Sequence, residues 1–417
     1  MKRIRSIIIL FIVIFLSSFE VLAQDSVYSL NKYQKESLDT IIKGYKENNT
    51  QEGFITAGTV LNKEKKNQAI MIKYSNSGEI IWIYTHPTTE DEELTGVTYT
   101  YQNNQIDGYL LLIRKAEKTF LLKVDLKGIL CWEKELDSYY KKIIITKNDN
   151  KEPINYILIG NHEKTAIIDT YNLDLDRIDR KEYPKEDYET TFNDIAIVQE
   201  NQFAIILNKQ NKEEKEEKEE VLWLVKLETN EIIELDNSLN KYLNSQVLSV
   251  EDGFILYGIT NEVKLKKGEA SYYIIKYNKE GIIEWESIGD IPINIKEPIK
   301  IKNKNDQFFV LYENADNSKE VIVLNQDGTY SQKIKKISNN YYTFNNFYVK
   351  GKNLYFVGEI HCAAEDDCIY DTSSLFLVSD EDKVIEVEDN TSTGILIGIG
   401  LFIIVIVGII IKKRSSH

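Results

Sequence analysis

Histidine is the residue most often used for proton transfer and metal binding, and this chain contains four. His86, His162, His361 and His417 are widely separated in the sequence. No HExxH motif or other paired metal-ligand spacing surrounds them. Isolated histidines of this kind predict loop or surface positions, so neither a metal site nor a catalytic residue is assigned to them.

Cysteine is equally sparse, with three residues in the chain. Cys131 stands alone in a strand-like run, whereas Cys362 and Cys368 are close in sequence. In an oxidising compartment this pair could form a local disulfide across a hairpin loop. A pair of free thiols is the equal alternative, because loop geometry decides whether the Cβ atoms can meet.

Three acidic segments could bind a cation or a partner. NLDLDRIDR places Asp174 and Asp176 on one face of a predicted strand, where they could hold calcium, and Glu365 to Asp367 lies between the two cysteines. A solvated hairpin is the favoured interpretation of both. The run KEEKEEKEE (Lys212 to Glu220) is interpreted as a solvated loop or an extended hairpin, with partner binding as the less favoured alternative.

The net charge of the chain restricts the classes of partner that it can bind. The formal net charge is −15, and both chain ends are basic, so the central part is more acidic still. An acidic surface repels phosphates, which makes nucleic acid and anionic lipid surfaces poor partners.

The elements that would position any site repeat along the chain. Each unit contains a short apolar strand, a loop, a second strand that often ends in Lys-Tyr, a polar turn with Gly, and a third strand that often carries Trp; a further strand-like run precedes each unit. Seven such units are found, about 46 to 55 residues apart, with the landmarks Gly53, Gly108, Asn155, Gln202, Gly253, Gln307 and Asn353.

The repeat predicts four-stranded sheets. SNSG, DLKG, NKEG and NQDG are suited to tight hairpin turns that need φ above zero, and β-branched and aromatic residues flank them. A single sheet of this size cannot bury both of its faces, whereas seven sheets packed around an axis can. The sequence therefore predicts an all-β fold, a seven-bladed β-propeller of four-stranded blades; tandem β-sandwiches are the alternative. Leu38 to Tyr45 is expected to form the first strand and Lys383 to Glu388 the last, and whether Val27 to Tyr33 adds a strand that closes the ring is left open.

The repeat resembles bacterial β-propellers of the pyrroloquinoline-quinone-like and kelch-like kind over most of residues 38–389. The matching positions are Tyr74, Gly78, Ile80 and Trp82; Val124, Gly128, Ile129 and Trp132; and Tyr277, Gly281, Ile282 and Trp285. The resemblance implies an architecture and no particular activity.

Enzymes built on propellers fit the sequence less well. A sialidase would need three arginines that grip a carboxylate; the predicted outer domain has only Arg114, Arg177 and Arg180, and SNSGEIIW departs from the Asp-box. A quinone-dependent dehydrogenase would need a vicinal cysteine pair and a calcium site, and neither is present in the sequence. No G-x-S-x-G elbow or phosphate loop occurs either, so no cofactor is predicted and the chain is not expected to be an enzyme.

Both chain ends predict export and membrane attachment. The basic head, the apolar run Ile7 to Leu16 and the small residues Val21 and Ala23 predict a signal peptide over residues 1–23, with an uncleaved anchor as the alternative. Residues 394–411 are eighteen residues without a charge, followed at once by basic residues, and they predict a transmembrane helix with a cytoplasmic tail over 412–417. A buried core helix and a cell-wall sorting signal are less favoured, the latter because its opening Leu-Pro is missing.

These observations place an extracellular propeller at residues 24–389, joined to the span by a short linker at 390–393. A linker of this length keeps the propeller within about 20 Å of the membrane. We expect a binding module at the cell membrane, in single-pass topology, for an unknown protein or glycan ligand near the membrane surface. A glycan hydrolase or lyase is the alternative.

Overall fold

The computed structural model describes residues 26–28, 36–62, 64, 66–183, 188–211, 218–236, 242–260, 269–289, 293–294, 299–314, 318–337, 342–351, 353–361 and 372–380. The predicted signal peptide, the predicted span, the strand expected at Lys383 to Glu388 and both Cys362 and Cys368 lie outside these ranges. Within them, no helix is long and apolar enough to cross a membrane.

The regular elements of the described residues are β-strands. In chain order they are β1 (Ser26–Tyr28), β2 (Glu36–Tyr45), β3 (Gln51–Leu61), β4 (Asn67–Tyr74), β5 (Ile80–Thr85), β6 (Glu92–Gln102), β7 (Gln105–Lys115), β8 (Lys118–Asp125), β9 (Leu130–Leu136), β10 (Tyr139–Lys147), β11 (Pro153–His162), β12 (Thr165–Tyr171), β13 (Arg177–Tyr183), β14 (Tyr188–Gln199), β15 (Gln202–Asn211), β16 (Lys218–Lys226), β17 (Glu231–Asp236), β18 (Tyr242–Val250), β19 (Gly253–Thr260), β20 (Glu269–Asn278), β21 (Ile283–Ile288), β22 (Ile293–Asn294), β23 (Lys300–Lys304), β24 (Gln307–Glu313), β25 (Lys319–Leu324), β26 (Tyr330–Ile337), β27 (Tyr342–Lys350), β28 (Asn353–His361) and β29 (Thr372–Asp380).

The strands form a β-propeller of antiparallel, four-stranded blades. Six blades each consist of four consecutive strands: β2–β5, β6–β9, β10–β13, β14–β17, β18–β21 and β23–β26, which we number 1 to 6. The short β22 pairs with β20 beside blade 5. A composite sheet follows blade 6, in the order β1-β29-β28-β27.

The predicted count of seven blades is wrong: six blades each consist of four consecutive strands, and the seventh predicted unit supplies β27, β28 and β29 to the composite sheet instead. Three of its strands come from the C-terminal part of the chain, but its outer strand is β1, which pairs antiparallel with β29 in the register Ser26↔Val378 to Tyr28↔Phe376. A strand at the edge of a sheet has unpaired backbone N–H and C=O groups that can pair with another chain. β1 pairs with these groups of β29 and so covers that edge. The open question about the N-terminal strand is thus answered, since β1 closes the ring.

Apolar clusters between neighbouring sheets hold the ring together. Met71 and Tyr84 of blade 1, for example, pack with Leu111 and Leu122 of blade 2. Similar clusters join each later sheet to the next. A further cluster returns from the composite sheet to blade 1, where the ring centroids of Phe54 and Tyr355 are 4.1 Å apart. Each sheet therefore buries both of its faces.

The repeated turn has a common side-chain support. Asp125 Oδ1 accepts hydrogen bonds from the backbone N–H groups of Lys127 at 2.9 Å and Ile129 at 2.8 Å, and Gly128 adopts a φ of 85°. These bonds fix the turn, and the positive φ is why Gly is needed there. The same arrangement occurs at Ser75–Gly78 and at Asn278–Gly281.

The repeated Trp joins one blade to the turn of the next. Trp82 Nε1 of blade 1 donates a hydrogen bond of 3.1 Å to the carbonyl of Leu126, in the third turn of blade 2. A Cβ at Gly128 would lie only 2.8 Å from the Trp82 ring, so the ring rests directly on the glycine. Trp285 of blade 5 lies on Gly328 of blade 6 in the same way. The Gly and Trp of the repeat thus form a contact between blades.

Candidate functional site

The innermost strand of each sheet lines the central channel, and most of these strands share an irregularity. A register shift occurs in β2, β6, β10, β14, β18 and β27, between Leu38 and Thr40, Leu94 and Gly96, Tyr140 and Lys142, Phe192 and Asp194, Leu243 and Gln246, and Phe344 and Asn346. A bulge leaves the extra residue out of the ladder, bends the strand and re-aims its side chains. Polar residues of these strands are thereby directed into the channel, while their neighbours remain in the cores between blades.

A cavity of about 760 Å³ lies at this level of the channel. Its volume is within the range of small-molecule sites, roughly 300–1,000 Å³. All of the inner strands contribute to its wall, with Thr40, Gly96, Lys142, Asp194, Gln246, Lys302 and Asn346 each coming from a different sheet. The site is therefore a property of the closed ring.

An ion pair connects three blades at the cavity wall. Lys142 Nζ on β10 donates to the carboxylate of Asp194 on β14 and, at 3.1 Å, to the carbonyl of Ile195. Asp194 Oδ2 accepts the backbone N–H of Val247 on β18 at 2.9 Å. Asp194 thus has its two oxygens engaged by blades 3 and 5, which fixes it in the channel wall.

Glu220 on β16 also reaches the cavity. Its Oε1 accepts a hydrogen bond of 2.6 Å from Asn193 Nδ2, and Asn193 Oδ1 accepts one of 3.0 Å from Asn208. Burial raises the pKa of Glu220, because desolvation disfavours the carboxylate more than its hydrogen bonds stabilise it. Glu220 is thus the wall residue best placed to hold a proton.

Two further lysines, Lys141 and Lys302, face the cavity without a carboxylate partner. Lys141 Nζ donates to the carbonyl of Phe192 at 2.8 Å, and its pKa is lowered, first by burial and then by the charge of Arg114. Within the described part of the chain, no hydrogen bond or ion pair to Lys302 is found. Burial, together with the charges of nearby lysines, lowers the pKa of Lys302 to about 8. The cavity therefore holds ammonium groups that the protein leaves largely unneutralised.

His86 lies in the loop between β5 and β6, which agrees with the prediction of loop or surface positions, but its side chain is buried rather than at the surface. This side chain is only 4 % exposed, and its Nδ1 lies 2.6 Å from Glu92 Oε1 while its Nε2 lies 3.5 Å from Glu133 Oε2. Two carboxylates of blade 2, from β6 and β9, hold the imidazole, which hydropathy could not indicate. His162 is exposed, as predicted, and its Nδ1 lies 3.1 Å from Ser138 Oγ. The side chain of His361 and the whole of His417 lie outside the described residues.

The three arginines bind carboxylates of the protein itself. Arg180 Nη2 lies 2.7 Å from Asp169 Oδ2 and 2.9 Å from Asp137 Oδ1, and Arg177 Nη1 lies 2.6 Å from Asp137 Oδ2. Arg114 pairs with Glu93. Their donors thus serve the fold.

The acidic segments are placed differently from the prediction. Asp174 and Asp176 lie in the turn between β12 and β13, where the N–H of Asp176 donates to Asn172 Oδ1 at 2.8 Å; they do not share a strand face, because this turn occupies the position of the repeated Gly turn. In the run Lys212 to Glu220, the last three residues belong to β16, as an extended hairpin requires, and 212–217 lie outside the description.

Other predicted site residues carry less information. Cys131 is an exposed free thiol, and Cys362, Cys368 and Glu365 to Asp367 lie outside the described ranges. In the described part of the chain, no group of three or more His, Cys, Asp and Glu side chains could hold a metal ion.

Comparisons with known proteins report the fold alone. No protein family and no curated protein matches the chain. Among solved structures, polysaccharide lyase Uly1 matches with a TM-score of 0.50 and 9% identity, over 82% of this chain and 90% of that one. The AfRom2 CNH domain matches with a TM-score of 0.46 and 9% identity over 85% and 99%, and the uncharacterized protein lmo1340 from Listeria monocytogenes EGD-e with 0.38 and 10% over 64% and 75%. At such low identity the likeness to Uly1 supports a propeller-like architecture and transfers no activity.

Proposed function

We propose that this chain is a membrane-anchored extracellular propeller that binds an envelope or surface ligand in its central channel. The observation that carries the proposal is the cavity at the bulges of the inner strands, to which every sheet contributes wall residues. Binding sites on repeat folds are commonly built on a rigid scaffold from equivalent positions of successive repeats. Anchorage and export rest on the sequence of the chain ends, and the assignment to the pyrroloquinoline-quinone-like or kelch-like kind rests on the repeat motif.

The topology supports an orientation for this module. β29 ends at Asp380 on the side of the ring that carries the turns between third and fourth strands, and β1 begins on the same side, since Ser26 pairs with Val378. A membrane span that follows β29 would therefore face this side towards the bilayer. The opposite entrance of the channel would then be directed away from the membrane, so that ligands reach it from outside.

A cavity-filling variant tests the proposal. The full chain, purified in a non-ionic detergent, would be incubated with envelope extract and with immobilised glycans, and retained ligands would be quantified. Thr40→Trp would place a large side chain at the cavity wall, and Thr229→Trp at an exposed turn of blade 4 is the matched control. Retention that is lost only in Thr40→Trp is expected. Equal retention by both variants would exclude the channel as the site, and no retention by the wild type would refute the binding function.

A glycan-active enzyme is the second candidate, and Glu220 is the observation that favours it. A carboxyl group with a raised pKa, in a cavity that also contains the carboxylate of Asp194, has the properties of a general acid beside a second carboxylate. Incubation with neutral and acidic polysaccharides, followed by reducing-end and unsaturated-product assays, would detect turnover. Turnover that is lost in Glu220→Gln would replace the binding function with catalysis.

A further inference from the structure

The charge of the central cavity is opposite to that of the protein as a whole. The chain has a formal net charge of −15, yet Lys141, Lys142 and Lys302 line the cavity. The two carboxylic side chains in the described wall are Asp194 and Glu220. Asp194 is engaged by Lys142, and burial favours the protonated form of Glu220. The wall therefore has an excess of positive charge.

An excess of this kind is unfavourable in the empty protein. Ammonium groups that lose water without gaining an anion are destabilised, and like charges nearby add to the effect. Lys302 shows both influences, since burial and the charges of Lys300 and Lys142 disfavour its protonated form. An oxyanion bound at Lys302 would relieve the cost through charge-assisted hydrogen bonds.

The remaining wall is suited to hydroxyl groups. Thr40, Gln246 and Asn346 line the cavity from three different sheets, and each can both donate and accept hydrogen bonds. Thr95, from a fourth sheet, donates its hydroxyl proton to the carbonyl of Leu112 and can accept a further hydrogen bond. Neutral polar groups around a buried ammonium group match a sugar that carries one anionic group.

We infer that the central cavity binds an acidic saccharide, with Lys302 holding its oxyanion and the neutral polar side chains holding its hydroxyls. This inference rests on the proposed binding function and specifies its ligand class. The oxyanion can be a carboxylate or a phosphate ester, which share the same recognition chemistry.

Calorimetric titration of the full chain in a non-ionic detergent tests the inference. The probes are galacturonate and glucuronate, glucose 6-phosphate, inorganic phosphate, and glucose as the neutral control. A hydrogen bond to a charged group contributes enough that Lys302→Gln should weaken binding of an acidic sugar about tenfold or more. Lys141→Gln, which removes another positive charge from the cavity wall, should weaken it less. Lys118→Gln, which removes an exposed lysine from the outside of blade 2, should leave the affinity unchanged. Circular dichroism would establish that each variant is folded.

The pH dependence provides a second readout. The anion favours protonated Lys302, so affinity should decrease as the pH rises from 7 to 9, and Lys302→Gln should abolish most of this decrease. The charged groups that face or influence Lys302 are Lys300, Lys141, Lys142, Asp194 and Glu220. A decrease that is unchanged in Lys302→Gln would show that another of these groups is responsible and would overturn the role given to Lys302.

The outcomes separate the inference from the function on which it rests. Binding of uronates alone identifies a carboxylate ligand, and binding of the phosphorylated sugar alone identifies a phosphate ester. Binding of glucose as tightly as of the acidic sugars, or equal affinity of the lysine variants and the wild type, would overturn the inference and leave the binding function intact. If the chain retains an envelope ligand but binds none of the probes, the inference is overturned and the binding function stands. If the chain retains no ligand at all, the binding function itself is refuted.

Discussion

The contact between Trp82 and Gly128 gives the most quantitative prediction about the ring. Gly128→Ala introduces a Cβ at a φ of 85°, which costs an L-residue about 1–2 kcal/mol. The new Cβ would also lie 2.8 Å from the Trp82 ring, and such overpacking costs typically about 1–3 kcal/mol. We therefore expect Gly128→Ala to destabilise the protein by roughly 2–5 kcal/mol.

Gly351→Ala is the matched control. Gly351 has a φ of 62°, but a Cβ added there has no neighbour within 4 Å, so only the backbone contribution of about 1–2 kcal/mol remains. Urea denaturation, followed by tryptophan fluorescence and circular dichroism, would measure both midpoints. Trp82→Ala should reduce the effect of Gly128→Ala to that of the control, since the clash is then absent. Equal midpoints for the two glycine variants in the wild-type background would refute the proposed contact between blades.

Three further predictions concern other contacts of the fold. Burial lowers the pKa of His86, but Glu92 and Glu133 outweigh burial and raise the pKa above 6.5. The ion pairs of the protonated imidazole therefore stabilise the folded protein fully below pH 6.5, and this stabilisation is lost as pH rises through the folded-state pKa. His86→Gln should remove that part of the pH dependence in thermal melts between pH 5 and 9. Asp169→Asn should destabilise by about 1–3 kcal/mol, because the guanidinium of Arg180 loses its buried carboxylate but keeps Asp137, and an unchanged urea midpoint would contradict this. Deletion of β1 should expose the outer edge of β29 and promote association between chains, which light scattering would detect; a monomeric, equally stable deletion variant would show that β1 does not protect this edge.

The sequence predicts the blades well because their features are local. Gly in the third turn, the side chain that supports it and the aromatic residue of the outer strand recur at fixed offsets, and each has a local or nearest-neighbour role. The pairing of β1 with β29 is different, because it joins residues 26 and 378 and the N-terminal strand shares no repeat motif. Long-range pairing of a short strand leaves no periodic signal, so the sequence left it open.

The channel residues were missed although a signal exists. Five inner strands, β2, β6, β10, β14 and β27, contain a break of two polar residues, or of one polar and one small residue, between apolar ones, as in L-DT-I, Y-KK-I, F-ND-I and F-NN-F. This break coincides with the bulges at Thr40, Lys142, Asp194 and Asn346. Read within one repeat, the break resembles ordinary strand variation, and only alignment of all repeats shows that it lies at one level of the channel.

The same break explains how a site can vary while the ring is preserved. Residues at the bulges do not belong to the apolar clusters between blades, so their charges can change without loss of packing. Lys302 lies on β23, whose register is unbroken, but it is also outside these clusters. Lys302→Gln should therefore be at least as stable as the wild type. Because the pKa of Lys302 is lowered to about 8, the ammonium group that it carries below that pH is less stable in the folded protein than in the unfolded chain. Removal of the charge should stabilise the unliganded protein at pH 7 by on the order of 1 kcal/mol. This stabilisation should shrink as pH rises from 8 to 10.5, because Lys302 of the folded wild type loses its proton near pH 8 and that of the unfolded chain near pH 10.5. Thermal melts of the two proteins across this range would measure it, and a variant that is less stable than the wild type at pH 7 would show that Lys302 supports the fold, contrary to a role in binding an anion.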